Sequence, residues 1–145
     1  MHKKIDDGFD ELVSDLQHTL TYQTEAFGYD PGAEHPVGEH MTEALNAFLA
    51  MARRHGFLTR NIDNIVGYID TSDDLSLPLY GLMFHLDVVP AGDRAKWIHP
   101  PYEGAAENGR IYGPGCVDMK SGLVIALYAA AALNAAGYEE RPIRF

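Results

Sequence analysis

The chain has 145 residues, 46% of them apolar and 22% charged, an ordinary balance for one folded domain with an adequate core. Eleven Lys and Arg stand against 21 Asp and Glu, for a formal net charge of −10. That acidic excess argues against a nucleic-acid partner or an anionic membrane surface, and Cys116, the only cysteine, excludes an internal disulfide and is compatible with a reducing cytoplasm.

The start, Met1-His2-Lys3-Lys4-Ile5-Asp6-Asp7, lacks the apolar core of a signal peptide, and no run reaches the roughly 18 apolar residues expected of a membrane span, so a cytoplasmic protein without a membrane partner is expected. Phe9, Leu12, Val13, Leu16 and Leu20 fall at helical spacing, as do Met41, Leu45, Phe48, Leu49 and Ala52, and the segment 27–40 between them, with two prolines and three glycines, is a loop. Ile62 to Ile69 reads as a strand and Thr71 to Ser76 as a polar turn. Leu79 to Phe84, almost continuously apolar and bounded by Pro78 and Pro90, reads as a strand buried on both faces. Leu123 to Leu133 predicts a helix buried on nearly all sides and ended by Asn134 and Gly137, and another strand begins at Ile143. Helices between neighbouring strands argue for a three-layer α/β arrangement.

Two segments carry the chemistry. His85 and Asp87 follow the apolar strand, at the end where open α/β sheets bind their ligands, and residues two apart in extended chain point to the same side. A metal-binding histidine usually donates its second ring N–H to a carboxylate or carbonyl, a role Asp87 suits. Taken alone, a strand-end histidine satisfied by backbone and an aspartate opening a turn account for the same pair. The second segment, Asn108 to Gly122, contains Gly113-Pro114-Gly115 and delivers Asp118 to the entrance of a helix, where an N-cap is its simplest role. Glycines before a helix also cradle phosphates, although Gly-Pro-Gly matches neither familiar nucleotide-binding pattern. Cys116 fits a small thiol packed under the loop, Lys120 a solvated helix residue, and Trp97 and Tyr102 either a substrate cleft or packing of a loop. His2, His18, His35, His40, His55 and His99 show no ligand spacing.

Together, H-L-D-V-V-P-A-G-D, then Trp97 and Pro100-Pro101-Tyr102, then G-R-I-Y-G-P-G-C-V-D-M-K-S-G, resemble the N-terminal half of the catalytic domain of M20-type metallopeptidases, and within that group the dinuclear zinc dipeptidases of the PepV kind. Pro36-Val37-Gly38 and the stretches 47–57 and 61–68 resemble the same dipeptidases. The resemblance implies a zinc-exopeptidase-like α/β/α domain with a mixed sheet, His85 as ligand of one zinc, Asp118 as a bridge between two, Asp87 as the catalytic-site carboxylate that orients His85 and tunes its basicity, and a cis peptide after Asp118. It implies hydrolysis of dipeptides or short peptides by zinc-activated water.

Many relatives carry Arg in place of Pro114 and a second acid in place of Met119, so carboxypeptidases and N-acyl amino acid deacylases of the wider group stay open. The resemblance also places a Glu-Glu pair, general base and ligand, after the strand that begins at Ile143. Glu139-Glu140 precede that strand and read as a solvated loop. The expectation is therefore that residues 1–145 form the N-terminal portion of one catalytic domain, incomplete at its C-terminus, without the lid or dimerisation domain, and inactive alone. A non-catalytic module acting through a protein partner is the alternative, and an unpaired sheet edge at Ile143 would invite self-association.

Overall fold

The computed structural model describes residues 8–26, 28–74, 76–138 and 141–145. The Glu139-Glu140 pair and the first seven residues, discussed above from sequence, lie outside them. Helix α1 (Phe9–Leu20) and helix α2 (Glu39–Arg54) form where the apolar spacing predicts them, the first burying Leu16, Thr19 and Leu20 and the second Leu45, Phe48, Leu49, Met51 and Ala52. Gly38, at a φ of 102°, starts α2 without a side-chain cap.

The predicted strand over 62–69 is instead a hairpin. Strand β1 (Leu58–Ile62) pairs antiparallel with β2 (Val66–Asp70), from Leu58 opposite Asp70 to Ile62 opposite Val66. Asp63 and Asn64 turn the chain at φ 53° and 57°, the left-handed conformation that short polar side chains tolerate and that tight hairpin turns require. After it come β3 (Tyr80–Gly81), the small hairpin β4 (Ala106–Glu107) with β5 (Arg110–Ile111), helix α3 (Lys120–Ala135) and β6 (Ile143–Arg144).

The main sheet has the order β1-β2-β6-β3, with β6 antiparallel to β2 and parallel to β3, so it is mixed. The strand that begins at Ile143 is therefore not an edge: Ile69 and Phe145 exchange both backbone hydrogen bonds on one side, and Leu82 N–H donates to Arg144 O on the other. The edges are β1 and β3. The 79–84 segment is also not buried on both faces. Only Tyr80 and Gly81 pair, and Tyr80, Leu82 and Met83 are 50%, 43% and 93% exposed.

Side chains alternate across β2 and β6. Ile69, Ile143 and Phe145 join Leu45, Leu49 and Ala52 of α2 and Leu127 and Ala130 of α3, while the opposite face carries the Asp70–Arg144 ion pair at 2.6 Å and the guanidinium of Arg144 over Tyr68. A second cluster joins Leu16 and Leu20 of α1, Phe48 and Met51 of α2, and Leu123 and Val124 of α3. The result is a mixed α/β fold in which, among the described residues, the helices lie against one face of the sheet. Helix α3 is buried along one side, through Leu123, Val124, Leu127 and Ala130, rather than nearly all round, since Ile125 is 53% exposed.

Candidate metal centre

Leaving β3 at Gly81, the chain carries Phe84 and Leu86 inward to the core and His85 and Asp87 outward. This run is fastened from the far side by the segment after α1: Thr24 Oγ1 donates to Leu86 O at 2.6 Å, Val88 N–H donates to Thr24 O at 2.9 Å, and Glu25 and Val88 form an isolated parallel bridge. Held in this way, His85 presents its two ring nitrogens to different partners. Nδ1 lies 3.0 Å from Asp87 O and 3.3 Å from Asp87 Oδ1, and Nε2 lies 3.1 Å from Asp118 Oδ1. The three side chains converge across the 33 positions between His85 and Asp118.

Asp118 is not the cap of α3. Met119 occupies that position without any side-chain cap hydrogen bond, the Asp118–Met119 peptide is cis, as the resemblance implies, and the Asp118 carboxylate is 81% exposed. The glycine loop that delivers it is tightly built. Cys116 N–H donates to Gly113 O at 3.1 Å, Ser121 N–H to Gly115 O at 3.3 Å, and Cys116 Sγ–H to Ile111 O at 3.0 Å. Burial pushes the Cys116 thiol up, away from the thiolate a nucleophile needs.

A nitrogen and an oxygen donor that share one tetrahedral zinc ion, each about 2.0–2.1 Å from it, lie about 3.3 Å apart. The 3.1 Å between His85 Nε2 and Asp118 Oδ1 fits that arrangement, and both side chains open to solvent. Trp97 and Tyr102 pack a loop rather than join the site: Trp97 Nε1–H donates to Ala91 O at 2.9 Å, and Tyr102 O–H donates to Glu25 in a short hydrogen bond. The tyrosine bond and the Ala91 N–H, 3.0 Å from the same oxygen, hold the Glu25 carboxyl below the usual range.

Two features escape the sequence reading. Lys120 is fully buried rather than solvated, with its pKa lowered to about 8 by burial. Its position in the first turn of a helix, where the dipole repels a cation, was the signal available. Glu11, Asp15 and His55 also bring one donor atom each to within 4.8 Å of one another. Asp15 there is already paired with Arg54 at 2.6 Å and accepts the Tyr128 hydroxyl at 2.8 Å, so its oxygens are engaged within the protein.

Comparison with known proteins bears on this geometry. Residues 81–145 match the model of peptidase family M20/M25/M40. Over 134 residues the chain is 33% identical to the Beta-Ala-Xaa dipeptidase of Lactobacillus delbrueckii subsp. lactis, a match that takes in 91% of this chain and 27% of that protein. Among solved structures, human carnosine dipeptidase 1 superposes with a TM-score of 0.78 at 20% identity, over 99% of this chain and 32% of that one. The dipeptidase Dug1p of Saccharomyces cerevisiae gives 0.77 at 17%, over 98% and 32%. At such identities these two likenesses are of fold. The chain thus spans about a quarter of the length of the curated relatives it matches. The matched stretch runs from β3 through the glycine loop to β6 and takes in His85, Asp87 and Asp118 alike, so the likeness to peptidase family M20/M25/M40 covers the whole of the candidate site.

Proposed function

We propose that this chain supplies the N-terminal part of the catalytic centre of a zinc-dependent dipeptidase, with His85 and Asp118 as metal ligands and Asp87 as the acid that orients His85. The observation that carries the proposal is the 3.1 Å approach of His85 Nε2 to Asp118 Oδ1. When bound, a pair of zinc ions polarises a peptide carbonyl and lowers the pKa of water toward neutrality. Asp87, placed at Nδ1, favours the tautomer with its proton there, so that the Nε2 lone pair faces the Asp118 carboxylate. With no cap bond to make, Asp118 sets Oδ1 beside His85 Nε2 and has its second oxygen to offer for a bridging role. Dipeptides or short peptides are the substrate class, by analogy with the Beta-Ala-Xaa dipeptidase.

Two protein ligands and an orienting acid are fewer than a dinuclear site needs, so hydrolysis is assigned to a polypeptide of the relatives' full length, of which this chain matches about a quarter. A reducing cytoplasm suits its lone thiol.

Calorimetric titration with Zn²⁺ tests the reading. One weak site that disappears in both His85→Ala and Asp118→Asn is the expected result. Binding unaltered in both variants removes the metal assignment, and tight uptake of two ions by this chain alone contradicts the ligand count.

A further inference from the structure

The end of α1 and the segment after it touch both halves of the site. On one side stands Lys120, whose stem runs beneath Gly115 so closely that a Cβ added to that glycine would lie 2.9 Å from Lys120 Cδ. Its ammonium turns away from the start of α3 and donates to Tyr22 O at 2.8 Å and Thr19 O at 3.3 Å. Those carbonyls mark the C-terminal end of α1, where a helix leaves acceptors unpaired and its dipole is negative. A buried cation thus ties the glycine loop and the first turn of α3, on either side of Asp118, to residues 19–22. On the other side, Thr24 holds Leu86, between His85 and Asp87, through its hydroxyl, and Val88 through its carbonyl. Residues 19–25 are therefore bonded both to the run that carries His85 and to the turn that carries Asp118.

We propose that Lys120 and Thr24 are positioning residues which, through this shared strut, set the separation of His85 and Asp118. The proposal rests on the reading of that pair as metal ligands, and it adds two residues that touch neither metal nor substrate. A role confined to the core would lower stability and leave the site unchanged in whatever remains folded. A positioning role changes the site in the folded protein.

The test uses Lys120→Met, which keeps the stem that Gly115 packs on and removes the ammonium, and Thr24→Val, which keeps the branch and removes the hydroxyl. Co²⁺ affinity is measured for each variant well below its own melting midpoint, and each is crystallised without metal. The expected result is a Kd raised by at least about tenfold, the scale of losses when the support of a metal ligand is removed, with the His85–Asp118 contact opened beyond hydrogen-bond distance. Folded variants that keep both the wild-type Kd and the 3.1 Å contact overturn the proposal. His85→Ala separates the two claims. If it binds Co²⁺ as the wild type does, the metal reading fails by itself, and the crystallographic separation alone decides the positioning claim. Should Lys120→Met fail to fold, Thr24→Val tests the same strut from its other end.

Discussion

The imidazole of His85 is useful because its two nitrogens are treated differently, Nδ1 by Asp87 and Nε2 by Asp118. Replacing Asp87 with Asn keeps the shape and removes the negative charge that favours a proton on Nδ1. Zn²⁺ affinity should fall about 10- to 100-fold by calorimetry, while the thermal midpoint holds because the Asp87 side chain is 51% exposed. Glu25 gives a prediction of a different kind. Its folded-state pKa is depressed, chiefly by the Tyr102 hydroxyl and then by Ala91 N–H. The stability this confers is complete above the ordinary glutamate pKa and is lost as pH falls through the lowered value. Glu25→Gln should therefore flatten the acid limb of a stability profile below about pH 4.3, measured by urea denaturation, and an unchanged slope there would contradict the linkage. At this scale the shared side of His85 and Asp87 was legible from their two-residue spacing, whereas the metal role of Asp118 follows only from the family resemblance, since local sequence favours an N-cap there. The burial of Lys120 was not legible, since the carbonyls that receive it lie about a hundred positions earlier in the chain.

Among the elements, the helices were legible and the strands only partly so, for a physical reason. Helices α1 and α2 hydrogen-bond within themselves and display a 3.6-residue period, whereas a strand is defined by partners that sequence does not name. The 58–70 hairpin was missed because its turn, Asp63-Asn64, lacks the glycine that most often marks such a bend. The apolar 79–84 run was read as deeply buried although only two of its residues pair. Packing between elements gives a sharper test at Gly104. Its φ is +60°, and an added Cβ would stand 2.2 Å from Gln17 O of α1, whose side-chain amide donates to Gly104 O at 2.8 Å. The close contact is with backbone and cannot be relieved by a rotamer change. Gly104→Ala should cost about 1–3 kcal/mol in urea denaturation, and a loss below a few tenths would show that the loop can leave α1 freely.

For the molecule as a whole, the sheet order decides which surface is sticky. With β6 paired on both sides, the unpaired edges among the described residues belong to β1 and β3, and β3 lies next to the more continuous apolar run Leu79, Tyr80, Leu82 and Met83, all of which are exposed. An unpaired strand beside apolar side chains is a template for pairing with a second copy. Opposing it is the net charge of −10, which at about 0.01 M salt acts over a Debye length of roughly 30 Å and at about 0.1 M over roughly 10 Å. Self-association should therefore rise with ionic strength, the reverse of what an interface held by complementary charges would do. Light scattering at fixed protein concentration should show the mean mass climbing with salt. Leu82→Lys and Met83→Lys together should abolish the climb without moving the melting midpoint, because both side chains already face solvent. A monomer at every salt concentration would mean that charge and the shortness of β3 suffice to protect the edge, and a mass that falls with salt would point to an ionic interface elsewhere on the surface.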